Sequence, residues 1–242
     1  MVSIVAGYRF VDLADPADVC ARLHDRARAA GLRGTLLVAA EGLNATLAGE
    51  PAALRGWLDA LAQDARFAGM PWHRHEAAAM PFGRLVAKVK REIIRMDRPA
   101  VRPAAARAPT VDAATLARWL DAGRCDEGRE VLLLDTRNAF EVDAGAFRGA
   151  LDWRLQRFGE FPQALEQHRA ELEGKTVVSY CTGGIRCEKA ALWMRDAGVD
   201  HVRQLDGGIL GYFERCPGAP HWQGGCFVFD GRELVRPGGA AA

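Results

Sequence analysis

The chain has 242 residues, of which 49% are hydrophobic and 26% charged, with a formal net charge of +1 at pH 7. That length accommodates one large domain or two small ones, and the apolar share is ample for packed cores. The near-zero charge excludes a whole-protein attraction for nucleic acid, so any basic patch must be local; no apolar run is long enough to span a bilayer, and the N-terminal residues carry no apolar h-region.

Residues 2–12 alternate loosely around Ile4, Val5, Tyr8 and Phe10, which predicts a strand. Asp15-Pro16 starts a helix whose apolar spacing runs through Val19, Leu23 and Ala27 to Gly31. Thr35–Ala39 reads as a second strand, and Glu41-Gly42-Leu43-Asn44 turns the chain into a third, Ala45–Ala48. Leu54, Trp57, Leu58 and Leu61 mark one face of a helix from Pro51 to about Asp64. Phe82–Ile94 is again extended, with Leu85, Ala87, Val89 and Ile93 alternating against Lys88, Lys90 and Glu92. Strand, helix, strand, strand, helix, strand is a split βαβ, ferredoxin-like plan for residues 1–96. His73 and His75 flank Arg74 near its end and read as polar surface, since two ligands do not make a metal site.

The segment from Phe82 to Arg98 holds six Lys/Arg against two acids, a local net of +4. Lys88, Lys90 and Arg91 therefore read either as a solvated edge strand or as contacts to RNA phosphates. Residues 97–109 contain three prolines and no apolar periodicity, as expected of a linker or wrapping segment.

A second domain is expected over residues 110–217. A helix near Val111-Asp112 ends at Gly123, and Val131–Leu134 is a continuous apolar run suited to a parallel strand covered on both faces. Asp135, Arg137 and Glu141 follow and read as a structural ion-pair network. Further on come a helix at about Pro162–Leu172, a strand at Thr176–Tyr180, and a last strand at Val202–Leu205. Trp153 and Phe158 are either core aromatics or the lining of a pocket. Strands alternating with helices give a doubly wound α/β domain with its site at the strand C-termini. Asp206-Gly207-Gly208-Ile209 supplies a glycine pair that lets backbone approach that site closely.

The most informative stretch is Tyr180-Cys181-Thr182-Gly183-Gly184-Ile185-Arg186-Cys187-Glu188-Lys189-Ala190. A cysteine sits where a strand ends, glycines bend the chain, and a helix begins. Successive N–H groups in such a turn form an anion-binding nest at the positive helix end. Thr182, Gly183, Gly184 and Ile185 form the cradle, and Arg186 closes it with a fixed cation. A thiol there ionises readily, so Cys181 is the candidate nucleophile. Cys187 is either a second, resolving thiol or helix-start packing. None of the six cysteines (Cys20, Cys125, Cys181, Cys187, Cys216, Cys226) forms a Cys-x-x-Cys pair, which argues for reduced thiols in the cytoplasm and against a bound zinc. No Gly-x-Gly-x-x-Gly fingerprint or haem-attachment motif occurs, so no cofactor is evident.

The Cys-x4-Arg spacing resembles rhodanese-type sulfurtransferase loops; tyrosine phosphatases use one more residue. The longer string Cys-Thr-Gly-Gly-Ile-Arg-Cys-Glu-Lys-Ala resembles the signature of the rhodanese-domain tRNA uridine hydroxylases. Ala39–Gly49, the basic strand Lys88–Ile94, the Asp-x-Arg entry at Asp135, the Gly-Gly-Ile element and His221–Arg232 are similar to that family too. The resemblance implies an acylphosphatase-like first domain, tRNA as partner, molecular oxygen as co-substrate, 5-hydroxyuridine at the wobble position as product, and a persulfide on Cys181. A small-molecule sulfurtransferase, using thiosulfate or a thiol acceptor, is the alternative that the second domain alone suggests. Residues 218–242 are expected to form a C-terminal extension ending in a frayed tail.

Overall fold

The computed structural model describes residues 1–238. These divide into two compact units, residues 1–95 with 229–232, and residues 96–228 with the remaining C-terminal residues.

The first unit runs β1 (Val2–Phe10), α1 (Pro16–Ala29), β2 (Arg33–Ala39), β3 (Gly42–Gly49), α2 (Pro51–Ala62), β4 (His73–Ala77) and β5 (Leu85–Val89). Its sheet has the order β4-β1-β3-β2-β5, in which only the β2–β5 pair is parallel. Val19, Leu23 and Ala27 of α1 join Leu54, Trp57, Leu58 and Leu61 of α2 in one core with alternating strand residues such as Leu36 and Val38. The Trp57 indole N–H donates to the Leu23 carbonyl at 3.3 Å, tying the helices together. Glu50 caps α2 by accepting the Ala53 N–H at 2.9 Å. Between β2 and β3, Gly42 has φ +144° and a Cβ there would lie 2.0 Å from the Arg9 carbonyl, so only glycine fits. Glu41 in this turn accepts the Ile93 N–H at 2.7 Å, which fixes the chain beyond β5.

One strand is reassigned. The ferredoxin-like order 4-1-3-2 is completed by His73–Ala77, paired antiparallel to β1, and not by residues 82–94. The sequence His-Arg-His-Glu-Ala carries no apolar alternation because this strand lies at a sheet edge, where charged side chains suit the exposed face. The basic stretch instead supplies a fifth strand, only Leu85–Val89, parallel to β2 at the opposite edge.

The second unit contains β6 (Thr110–Val111), α3 (Ala113–Ala122), β7 (Val131–Asp135), α4 (Ala139–Asp143), β8 (Gly145–Phe147), β9 (Leu151–Asp152), α5 (Phe161–His168), β10 (Thr176–Tyr180), α6 (Ile185–Asp196), β11 (Val202–Leu205) and α7 (Gly208–Arg215). Its main sheet is parallel throughout, in the order β6-β11-β10-β7-β9. Every residue of the central strand β10 is buried, as its β-branched, apolar sequence requires. Asp112 caps α3 through the Thr115 N–H at 2.9 Å, and Gly123 ends the helix in the left-handed region.

Residues 97–109 pack with the second unit, with Val101 and Ala108 buried and the Pro109 carbonyl accepting the Gln204 N–H at 3.0 Å. Within residues 218–238, β12 (Trp222–Gly224) pairs with β8, and β13 (Cys226–Phe227) pairs with β14 (Leu234–Val235). The last residues of the expected tail, 239–242, lie outside the described residues.

Candidate active site

Because β10 is the middle strand of a parallel sheet, its C-terminal end delivers Cys181 to the rim of the sheet. Gly184, at φ +100°, turns the chain into α6 and acts as its N-cap residue. In that turn the Gly184 N–H donates to Cys181 Sγ at 3.2 Å. The carbonyls of the loop face the other way: Cys181 O accepts the Ile209 N–H at 2.9 Å and Thr182 O accepts the Leu210 N–H at 3.0 Å, both from the start of α7. Gly208 makes this approach possible. Its φ is +61°, and a Cβ there would meet Cys181 O at 2.5 Å and the Gly184 nitrogen at 2.8 Å. With its carbonyls tied to α7, the loop keeps its N–H groups for the sulfur.

Arg186 leaves α6 one residue after its start and is buried. Its guanidinium donates to both carboxylate oxygens of Glu141, at 2.6 and 2.8 Å, and to Thr182 Oγ1 at 3.3 Å. The Thr182 hydroxyl in turn donates to Glu141 Oε1 at 3.4 Å, and the Asn138 N–H donates to Oε2 at 3.0 Å. A charge this deep persists because it is paired and hydrogen-bonded. Burial pushes the Glu141 carboxyl upward, but the Arg186 contacts outweigh it and hold the group below its ordinary range.

Cys181 is fully buried. Burial by itself would raise its thiol, but the Cys187 thiol, the Arg186 charge and the backbone N–H groups of Cys187 and Arg186 act together to bring it well below the usual value. Cys187 moves the opposite way: burial and the adjacent Cys181 sulfur push it far up. One thiolate and one thiol thus share a hydrogen bond, the arrangement expected when two like groups cannot both ionise.

The residues singled out in the sequence separate into groups. Cys181, Thr182, Gly184, Arg186 and Cys187 come together in the cradle, and Thr182, Gly183 and Ile185 are the partly exposed members of the loop. The expected three-residue ion-pair network divides in two. Arg137 pairs with Asp135 at 2.6 Å, both fully buried, and donates to the carbonyls of Glu141 and Gly145, bracing β7 against β8. Glu141 gives its carboxylate to Arg186 and belongs with the cradle. Its sequence signal was an acid three residues after Asn138 at a strand end, where a helix begins. Trp153 stacks on His168 and Phe158 on Phe161, which places both aromatics with α5.

Lys88, Lys90 and Arg91 are exposed in the first unit, on β5 and just after it. His73 and His75 pair with Ala6 and Ile4 across the β4–β1 ladder. Among the described residues no group of three or more His, Cys, Asp or Glu side chains could hold a metal ion. No helix of the described residues is long and apolar enough to cross a membrane.

Cys226 is a buried thiol that the sequence did not connect with the site. Burial pushes it up to about 12, and it contacts the Thr182 side chain from β13.

Comparison with known proteins follows this division. Residues 2–93 match the UPF0176 acylphosphatase like domain, and residues 112–215 match the Rhodanese-like domain. The chain is 57% identical over 233 residues to a tRNA uridine(34) hydroxylase of Bordetella avium, covering 96% of each chain. Proteins of the same name from Variovorax paradoxus and Bordetella pertussis are 58% and 59% identical, covering 96% and 94% of this chain and 88% and 93% of theirs.

Proposed function

Because the chain belongs to the tRNA uridine(34) hydroxylase family, we infer that it is an enzyme that hydroxylates the wobble uridine, position 34, of tRNA. The observation that carries this is the extent of the match: the similarity runs through both units and nearly the full length of the relatives, not the rhodanese-like part alone. A small-molecule sulfurtransferase would have no use for the first unit.

In this reading Cys181 is the reacting group. A six-residue ring from Cys181 to Arg186 fits a single terminal sulfur on the cysteine, and a persulfide is the form we assign to it during turnover. The Gly184 N–H and the first N–H groups of α6 stabilise negative charge on that sulfur, as preorganised donors do in an oxyanion hole. Arg186 adds its cation, oriented by Glu141. Molecular oxygen is the co-substrate we assign, supplying the atom placed at C5 of the uracil to give 5-hydroxyuridine. Lys88, Lys90 and Arg91 are assigned to tRNA phosphates, with their local excess of positive charge as support. A tRNA substrate supports a cytoplasmic location.

The test is a nucleoside analysis. Bulk tRNA from a strain lacking this gene, incubated with the purified protein under heavy-isotope oxygen gas, should acquire labelled 5-hydroxyuridine. Label drawn from water instead would remove oxygen as the co-substrate. No hydroxylated uridine at position 34 under any oxygen supply, in the cell or in the tube, would remove the hydroxylase assignment.

A further inference from the structure

Two buried sulfurs, not one, occupy the cradle. Cys187 is the third residue of α6, and its thiol hydrogen-bonds to the Cys181 sulfur. On its other side it packs against Thr136, whose Oγ1 donates to the Tyr180 carbonyl at 3.0 Å and lies 3.6 Å from Cys187 Sγ. Thr136, itself fixed on the Tyr180 carbonyl, thus seats Cys187 beside the end of the strand that delivers Cys181. We propose that Cys187 is the resolving thiol of Cys181, closing an intramolecular disulfide on it whenever a hydroperoxide has oxidised the Cys181 sulfur. This rests on Cys181 being the reactive thiolate.

In the first step the Cys181 thiolate attacks one peroxide oxygen, the S–O bond forms, the O–O bond breaks, and the leaving hydroxide or alkoxide takes a proton. Sulfur is oxidised by two electrons to a sulfenic acid while the peroxide is reduced to water or an alcohol. Cys187 then attacks the sulfenic sulfur: the S–S bond forms, the S–O bond breaks, and hydroxide leaves with the Cys187 proton as water. A dithiol reductant restores both thiols by exchange.

The order of events is built into the electrostatics. While Cys181 is a thiolate, its negative charge and burial keep the proton on Cys187. A sulfenic acid is neutral, so oxidation removes that repulsion and leaves Cys187 beside the Arg186 cation and in the first turn of α6, both of which favour a thiolate. Cys187 therefore becomes nucleophilic only after Cys181 has been oxidised. The other thiols lack this contact. Cys226 meets the Thr182 side chain. Cys125 is held by Glu127 and by Thr176, at the opposite end of β10, Cys216 follows the end of α7, and Cys20 belongs to the first unit. The gain is protection: a sulfenic acid that is not captured goes on to sulfinic acid irreversibly.

Trypsin cuts after Lys175, Arg186 and Lys189, so the two cysteines fall on separate peptides, 176–186 and 187–189. The full-length protein, reduced, desalted and given one equivalent of hydrogen peroxide, should lose about 2 Da and give these two peptides joined by a disulfide. Dimedone, a sulfenic acid trap, should label it only weakly. Cys187→Ser should instead take dimedone on Cys181, or, without dimedone and with a second equivalent of peroxide, gain about 32 Da as sulfinic acid. Cys226→Ser should behave as the parent protein does. Equal dimedone labelling of Cys181 in the parent and in Cys187→Ser, or a bridge from Cys181 to another cysteine, overturns the resolving role and leaves the Cys181 assignment standing. Absence of any oxidation at Cys181 overturns both. If Cys187→Ser does not fold, the peptide map of the parent protein decides the question.

Discussion

The two units handle charge in opposite ways. Among the described residues every polar or charged residue that is buried whole, including Asp135, Arg137, Glu141, Arg186 and Gln204, lies in the second unit, whereas the helix-backed core of the first is built from apolar side chains, its one buried ion pair in residues 229–232 being Asp230 with Arg232. Ionic groups such as His73, Arg74 and Glu76 of β4 or Lys88 of β5 sit on strands at the sheet edges. Burying ion pairs gives little net stability over apolar packing, and losing one partner is severe. The first unit therefore keeps most of its charge at its surface, and the second carries fragile buried charges, Glu141 and Arg186 among them, beside the Cys181 loop, which is what the proposed anion site would need. Substitutions in the two units should fail differently.

The largest effect belongs to the sulfur itself. Cys181→Ser keeps the volume and removes the thiolate, so 5-hydroxyuridine should fall to background in tRNA from a deletion strain carrying the variant, while the circular dichroism spectrum is unchanged. A wild-type level of the nucleoside would end the role given to Cys181.

Next comes the buried pair. Glu141→Ala leaves the Arg186 guanidinium buried without its carboxylate, and urea unfolding should show a loss of about 3–5 kcal/mol confined to the second unit. Activity should drop by roughly 10²–10³, the usual effect of losing a preorganised donor. The thiolate provides an independent readout. Cys181 lies below the usual thiol range and Cys187 and Cys226 lie above it, so the ultraviolet thiolate absorbance that Cys181→Ser abolishes should persist at neutral pH and vanish on acidification. In Arg186→Ala, which removes a cation that favours the thiolate, that midpoint should move upward. An unmoved midpoint would mean that the cation does not act on the sulfur.

A smaller loss is expected where backbone meets backbone. Gly208→Ala puts a methyl group 2.5 Å from the Cys181 carbonyl at a positive φ, which should destabilise the second unit by about 1–3 kcal/mol. Turnover should decline more than tRNA affinity, since the distortion falls on the cradle. Equal declines in both would point to a general folding defect.

The smallest change in stability should come from the first unit. The Lys88→Ala/Lys90→Ala double variant alters exposed side chains and should shift unfolding by no more than about 0.5 kcal/mol. Its effect should appear in binding: the slope of log affinity against log salt should decrease by about 1 for each phosphate that is no longer neutralised, with the modified uridine unchanged. A slope equal to that of the parent protein returns these lysines to a solvated strand edge.

Much of this could be read along the chain. The apolar runs at Val131–Leu134 and Thr176–Tyr180, the glycine pair after Cys181 and the cap at Asp112 are local signals, and each element formed where its periodicity or turn chemistry put it. Arg186 at the end of a six-residue loop was legible for the same reason. The fourth strand was not, because His73–Ala77 is held by its ladder to β1 and has no apolar face of its own. Nor was the pairing of Arg186 with Glu141, two groups 45 positions apart, or the lock of Ile209 and Leu210 onto the loop carbonyls. Sequence periodicity reports which face of an element is buried, a property of near neighbours. Which carboxylate meets which guanidinium is decided only when the strands align in register and bring the ends of β7 and β10 side by side.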